Sequence, residues 1–389
     1  MRVFLPAFLL GTASVATAAS STSHPHPHLG RRDELQTCAD LTIANNNGDR
    51  KVVIVIDSSG SMSSNDPKNL RLSAARALDD FLISNSEAGG NVKPDQVAVV
   101  GFSGSAYSVF EPGDPGDPKV KEAIGKIKVS GSTYIAGGVA MAMDKIAAMS
   151  GPTKDRSSIV VYTDGSDSST SELVRTIKNA TAQGIRVSFG YLDDRASAQP
   201  KEVLLAVRES RGIYATITVA AGSINFVNYV LLNGLSYQDN PQGAGDRLLA
   251  GLASTQFISG SSPVSMKYFA ERGEKANFTL VSFTSDTLNM EARMNGQTLN
   301  STSSSTRSTT RKIMEVTPSS NGELEIVVTA SNSPKDGLFS IVTGSTSPIK
   351  NCTVGVGGGN NTSGLSTGAK AGLGVGVAAA VLGKLLLMI

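Results

Sequence analysis

Tryptophan is absent from the 389 residues, and aromatic residues of all kinds make up 5%. Sugar-binding platforms offer large flat rings to the sugar face, so this poverty weighs against a carbohydrate-binding module. Charged residues reach only 17%, with 35 basic against 33 acidic. That balance predicts no nucleic-acid partner and no acidic tail. Histidine occurs three times, at His24, His26 and His28, all ahead of Arg31-Arg32. The dibasic pair reads as a processing site, and a mature chain starting near Asp33 would hold no histidine. It would lack the commonest general base, the zinc-peptidase helix motif and any Ser-His-Asp triad. The chain is therefore expected not to be an enzyme.

What is present is organised around residues 52–62, VVIVIDSSGSM. A continuous β-branched run predicts a strand buried on both faces, and it breaks at once into an acidic, Ser/Gly-rich turn. In an open parallel sheet ligands gather beyond the carboxyl ends of the strands, so Asp57, Ser59 and Ser61 are expected on the binding edge. These are hard oxygen donors, suited to magnesium or calcium and poor for zinc or copper. Two later segments have the form to complete a cage: Gly131-Ser132-Thr133, ahead of a helical pattern over 135–149, and an apolar strand over 158–163 that ends in Asp164-Gly165. For the first loop alone, a Ser-rich turn capping a helix is the competing reading.

With all three segments in order, the chain resembles the von Willebrand factor type A domain and its metal-ion-dependent adhesion site, over residues 50–233. The family pattern is Asp-x-Ser-x-Ser, a distant Thr and a distant Asp. The resemblance implies that Ser59, Ser61 and Thr133 touch the metal directly, while Asp57 and Asp164 act mainly through bound waters. It implies Mg²⁺ (or Mn²⁺ or Ca²⁺) as cofactor and, as partner, an extracellular or cell-surface protein presenting an Asp or Glu carboxylate. It further implies that the last helix, expected over 223–232, is coupled to the metal site.

Both ends carry address labels. Residues 1–18 have a basic start, an apolar run and small residues at Ala16-Thr17-Ala18, the form of a secretory signal peptide. Residues 19–32 read as a pro-segment; weak metal binding by the His-Pro repeat is the alternative. Arg31-Arg32 resembles the processing site of secreted fungal precursors. At the other end a Gly/Asn/Ser-rich stalk over 350–370 is followed by an apolar tail over 371–389, the form of a GPI-attachment signal, placed near Asn361. A single membrane span is the alternative. Cys38 and Cys352, the only cysteines, would in an exported chain tie the start of the ectodomain to its end, at roughly 4 to 5 kcal/mol in the chain-entropy model. Intermolecular pairing is the alternative. N-linked acceptors stand at Asn179, Asn277, Asn300, Asn351, Asn360 and Asn361.

Between these ends strand and helix alternate over 50–233, which predicts an α/β, doubly wound, mostly parallel sheet. A lead-in over 33–49 precedes it. Helices are expected over 69–84, starting at Asp66-Pro67, and over 119–127, 170–183 and 202–209. Glu111, Asp114 and Asp117 read as a solvated turn, not a second cation site, and Asp167, Asp193 and Asp194 as loop solubility. Residues 234–255 read as a linker with a helical run around 248–252. Six short strands over 256–349 then predict a small antiparallel β-sandwich, with the Ser/Thr run 298–310 as a hairpin loop or a site for O-linked sugar.

Three functions are weighed. The first is a GPI-anchored adhesion or protein-binding module of the cell surface or cell wall, with the cation completing its shell from a partner's carboxylate. The second is a wall or surface scaffold in which the metal only rigidifies loops. The third, a glycosidase using Asp57 and Asp164, is disfavoured by the absence of Trp and by carboxylates already engaged around a cation. A type A domain followed by a β-rich one also resembles part of the calcium-activated chloride channel regulators, whose metalloprotease half this chain lacks. Intracellular ATPase-linked type A domains do not fit the export signal.

Overall fold

The computed structural model describes residues 36–165, 167–192, 200–243, 245–284, 287–302, 311–331 and 333–356. The expected signal peptide and pro-segment, Asp193, Asp194, most of the Ser/Thr run, Asn360, the expected attachment position Asn361 and the apolar tail lie outside the described residues. Among the described residues no helix is long and apolar enough to cross a membrane.

The chain runs β1 (Gln36–Ile43), β2 (Lys51–Asp57), α1 (Met62–Asn65), α2 (Leu70–Phe81), β3 (Gln96–Phe102), β4 (Ala106–Gly113), α3 (Pro118–Gly125), α4 (Ile135–Ala148) and β5 (Ser157–Thr163). It continues with α5 (Thr170–Ala182), β6 (Ile185–Leu192), α6 (Lys201–Glu209), β7 (Tyr214–Ile217) and α7 (Gly222–Asn233). The rest is β: β8 (Leu252–Gly260), β9 (Val264–Ala270), β10 (Ala276–Ser282), β11 (Leu288–Met294), β12 (Gln297–Ser301), β13 (Arg311–Val316), β14 (Gly322–Ala330), β15 (Ser333–Ser345) and β16 (Cys352–Val356).

Five strands, β3-β2-β5-β6-β7, pair in parallel, and β4 closes one edge antiparallel to β3. β2 is buried along its whole length. Its alternate residues feed two cores: Val52, Ile54 and Ile56 meet α2, α3 and α7, while Val53 and Val55 meet α4, α5 and α6. That is why the run is apolar without alternation, each such side chain contributing about 1.5 to 3 kcal/mol of burial. The doubly wound, mostly parallel fold expected from the sequence is what the molecule has.

The chain between the α/β part and the β-rich part is not a free linker. β8 begins inside the expected 234–255 link, pairs antiparallel with β7 and then with β15, and so extends the main sheet to ten strands, β13-β10-β15-β8-β7-β6-β5-β2-β3-β4. A second sheet, β12-β11-β14-β9, packs across the β8, β10, β13 and β15 section around Met266, Phe278, Met290, Ile326 and Phe339. The sandwich thus shares one of its layers with the main sheet. β8 and β12 are strands additional to the six expected. The helical run around 248–252 is instead extended, with the Leu248 N–H donating to Lys267 O at 2.9 Å and Gly251 turning the chain at φ 80°.

α2 starts at Leu70, later than expected, because the Asp66 carboxylate accepts from the N–H groups of Leu70 (2.6 Å) and Arg71 (3.1 Å) and caps the helix from outside. The expected lead-in and stalk contain a paired ribbon: β1 and β16 run parallel, with Gln36 opposite Cys352 and Cys38 opposite Val354. The ribbon covers α7, burying Leu41, Cys352 and Val354, and Asn228 Nδ2 donates to Cys352 O at 2.9 Å.

Candidate metal centre

The parallel strands β2 and β5 end side by side, with Ile56 paired to Tyr162, so Asp57 and Thr163 emerge together and Asp164 follows. Asp57 is fully buried. Its Oδ1 accepts the Ser59 N–H at 2.7 Å and its Oδ2 accepts the Thr163 hydroxyl at 2.6 Å. Ser59 Oγ lies 3.1 Å from Ser61 Oγ, and Ser61 Oγ donates to Asp164 Oδ1 at 2.9 Å. The Ser61 proton is thereby directed at a carboxylate, which leaves lone pairs of that oxygen available to a cation.

Thr133 arrives on its own loop, held by backbone bonds on three sides. Ser130 N–H donates to Ser58 O (2.7 Å), Gly60 N–H to Gly131 O (3.0 Å), Ser168 N–H to Thr133 O (3.0 Å) and Tyr134 N–H to Ser103 O (2.8 Å). A Cβ placed on Gly165 would stand 3.3 Å from Thr133 Oγ1, so the residue after Asp164 must stay small for the two loops to meet. Asp57, Ser59, Ser61, Thr133 and Asp164, spread over 108 positions, are thus brought to one place on the carboxyl edge of the sheet. Asp57, Ser59 and Asp164 form its buried floor, Thr133 is half-buried, and Ser61 is exposed.

Supporting residues that pattern reading passes over complete the arrangement. Asn65 Nδ2 donates to Asp164 Oδ2 at 3.0 Å, and the Thr163 hydroxyl accepts the Gly165 N–H at 3.2 Å while donating to Asp57. The fully buried Arg71 donates through Nε to the Asp57 backbone oxygen (2.8 Å) and through Nη1 to Asp66 Oδ2 (2.7 Å). Asp167, expected to serve only loop solubility, is half-buried and accepts from Ala136 N–H (2.7 Å) and Ser169 N–H (2.6 Å), joining the Asp164 loop to the start of α4. The only signal for it was an acid ahead of a helix. Glu111, Asp114 and Asp117 behave as a solvated turn: Glu111 pairs with Lys145, Asp114 accepts from Asn85 and Gly116 N–H, and Asp117 caps α3.

The electrostatics ask for a cation. Burial pushes the Asp57 carboxyl upward, partly offset by its hydrogen bonds and by Arg71. Burial also raises Asp164, and the neighbouring Asp57 charge adds to it. Among the described residues no cationic side chain forms an ion pair with either. Among the same residues no three His, Cys, Asp or Glu converge on a metal-sized gap; here two carboxylates are joined by three hydroxyls. That donor set fits a hard divalent ion such as Mg²⁺, Mn²⁺ or Ca²⁺.

Comparison with solved structures finds a von Willebrand factor type A protein from Catenulispora acidiphila, 14% identical over 84% of this chain and 76% of that one, TM-score 0.40. It also finds the conserved hypothetical protein BatB from Bacteroides thetaiotaomicron, 20% identical over 46% and 95%, TM-score 0.35. A third is proximal thread matrix protein 1 from the mussel byssus, described with a zinc-occupied MIDAS motif, 18% identical over 48% and 46%, TM-score 0.36. No curated protein matches. Residues 52–166, under a third of the chain, match the family model of the von Willebrand factor type A domain.

Proposed function

We propose that the chain is a cell-surface adhesion or protein-binding module that takes an acidic group of a partner through a divalent cation. Ser59, Ser61 and Thr133 would hold the ion directly, and Asp57 and Asp164 through water. A bound Mg²⁺, Mn²⁺ or Ca²⁺ supplies an open coordination position for a partner's carboxylate. The observation that carries this reading is the hydroxyl-carboxylate chain Ser59 Oγ–Ser61 Oγ–Asp164 Oδ1 at 3.1 and 2.9 Å, open to solvent at Ser61. Asp57 has both oxygens engaged by Ser59 and Thr163, which favours its acting through water. The scaffold reading is weaker: backbone bonds already tie the three loops together, so little rigidity is left for a metal to add.

Export, a GPI anchor near Asn361 and the absence of enzymatic activity belong to the same reading, supported by the two terminal segments and by the lack of histidine after Arg32. So does a Cys38–Cys352 bridge, since β1 and β16 are neighbours and no cysteine is free among the described residues. Asn179, Asn277, Asn300 and Asn351 are exposed, as glycan acceptors must be. The test is titration of the secreted chain with Mg²⁺, followed by capture from cell-surface extract with and without EDTA. Thr133→Ala should lower Mg²⁺ affinity and abolish the EDTA-sensitive capture at an unchanged melting temperature of the metal-free protein. A lower melting temperature with capture intact would favour the scaffold.

A further inference from the structure

The ten-stranded sheet ends in β4 on one side and β13 on the other, and the two edges are finished differently. β4 carries protections common to free edges: its register with β3 shifts at two places, Pro112 removes a donor, and Glu111 pairs with Lys145. β13 instead pairs with β10 over six consecutive residues without a shift, and it contains no proline. Lys312 is drawn to Asn289 Oδ1 at 2.6 Å, and Ile313, between Arg311 and Glu315, stands 65% exposed. Among the described residues no strand pairs with the other side of β13. A regular edge of this kind invites a second chain.

Two acceptor asparagines converge on that strand from different sheets. Asn277, in β10, lies directly opposite Glu315, so it shares the outer face of the main sheet with Ile313, its diagonal neighbour about 7 to 8 Å away. Its side chain has room there because β15 places Gly344 beside it, where a Cβ would lie 2.5 Å from Asn277 Oδ1. Asn300, in β12 of the second sheet, donates through Nδ2 to the Glu315 backbone oxygen at 2.8 Å. That bond takes up a β13 carbonyl from outside the main sheet. Both asparagines are exposed, and each is followed two positions on by a threonine, Thr279 or Thr302. Leu299, beside Asn300, is itself 44% exposed. Glycosylation would join each Nδ2 to C1 of the first sugar of a lipid-diphosphate-linked oligosaccharide; the C1–O bond to the diphosphate breaks, and the diphosphate takes the displaced Nδ2 proton. One N–H stays on the nitrogen, so Asn300 retains a donor for Glu315 O.

We propose that N-linked oligosaccharides at Asn277 and Asn300 cover the free edge of β13 and keep the sheet from pairing with that of a second copy. This rests on the export reading above, and the experiment separates the two. The full chain is expressed in a secreting eukaryotic host, its glycopeptides are mapped, and its mass in solution is measured by light scattering. Sugar is expected at both positions, on a monomer. Asn277→Gln combined with Asn300→Gln should raise the average mass about two-fold or more, and adding Ile313→Lys should return it to that of the monomer. If the double variant is not secreted, an amidase that strips sugar from the folded parent, leaving aspartate at both positions, should produce the same association at about 1 M salt, where the new charges are screened. Three results overturn the shield while leaving export standing: sugar at Asn179 or Asn351 with Asn277 and Asn300 bare, a stripped chain that stays monomeric, or association that survives Ile313→Lys. A chain with all four of these acceptors bare overturns export and the shield together.

Discussion

Thr163 ties the two strand ends of the site together, since its hydroxyl donates to Asp57 and accepts from the Gly165 N–H that follows Asp164. Thr163→Val keeps shape and removes the hydroxyl. It leaves a buried Asp57 oxygen unpaired, so we expect a loss of about 1 to 3 kcal/mol in stability. Mg²⁺ affinity should also fall about 10- to 100-fold, as for other groups that orient metal ligands. Chemical unfolding and metal titration read the two effects separately. Asp79 poses a different residue-scale question. It is buried in α2, neither carboxylate oxygen has a partner among the described residues, and burial pushes it up to about 8. A folded-state value above the unfolded one means the native state keeps a proton that the unfolded chain releases from about pH 4 upward. Stability is therefore lost as pH rises from about 4 to about 8, by at most about 1.4 kcal/mol per unit. Asp79→Asn should be more stable than the parent at about pH 8, with the advantage shrinking toward about pH 5. A constant difference in urea midpoint across that range would contradict this.

At the scale of elements, α7 is the piece with the least freedom. One end abuts Gly251, its middle holds β16 through Asn228, and its last carbonyls are taken by Arg186. Gly222→Ala would force a methyl against a backbone carbonyl that cannot rotate away, at a cost of about 1 to 3 kcal/mol or more. Thermal unfolding should show the drop. Strands β8 and β12 were hard to read for opposite reasons. β8 runs between β7 and β15, so polar Ser254 and Thr255 are as buried as Leu252, and neither alternation nor a purely apolar run results. β12 is exposed at every residue and owes its form to pairing with β11. The central strands were easy to read because burial on both faces leaves only apolar residues acceptable.

As a whole molecule the α/β part and the sandwich are one folding body. β8 completes the main sheet beyond β7, and Leu338 of the sandwich is fully buried in the core formed by α4, α5 and α6. Both belong to the same compact unit. We expect one cooperative calorimetric transition for the purified chain, and a truncation after Gly251 that exposes the β7 edge and aggregates. Two well-separated transitions would show that the shared sheet does not couple the parts.

By itself the sequence determined the α/β class and the five oxygen-bearing residues of the candidate site, because a buried parallel strand and a hard-cation donor set each admit few residue types. It also located where the β-rich part lies. Only the tertiary structure decided that Thr163, Asn65 and Asp167 support the site, since Ser, Thr, Asn and Asp are common throughout this chain and gain a role from what they face. It alone decided that the two parts share a sheet. Strand pairing and direction depend on contacts between segments remote in sequence, and no local pattern records them.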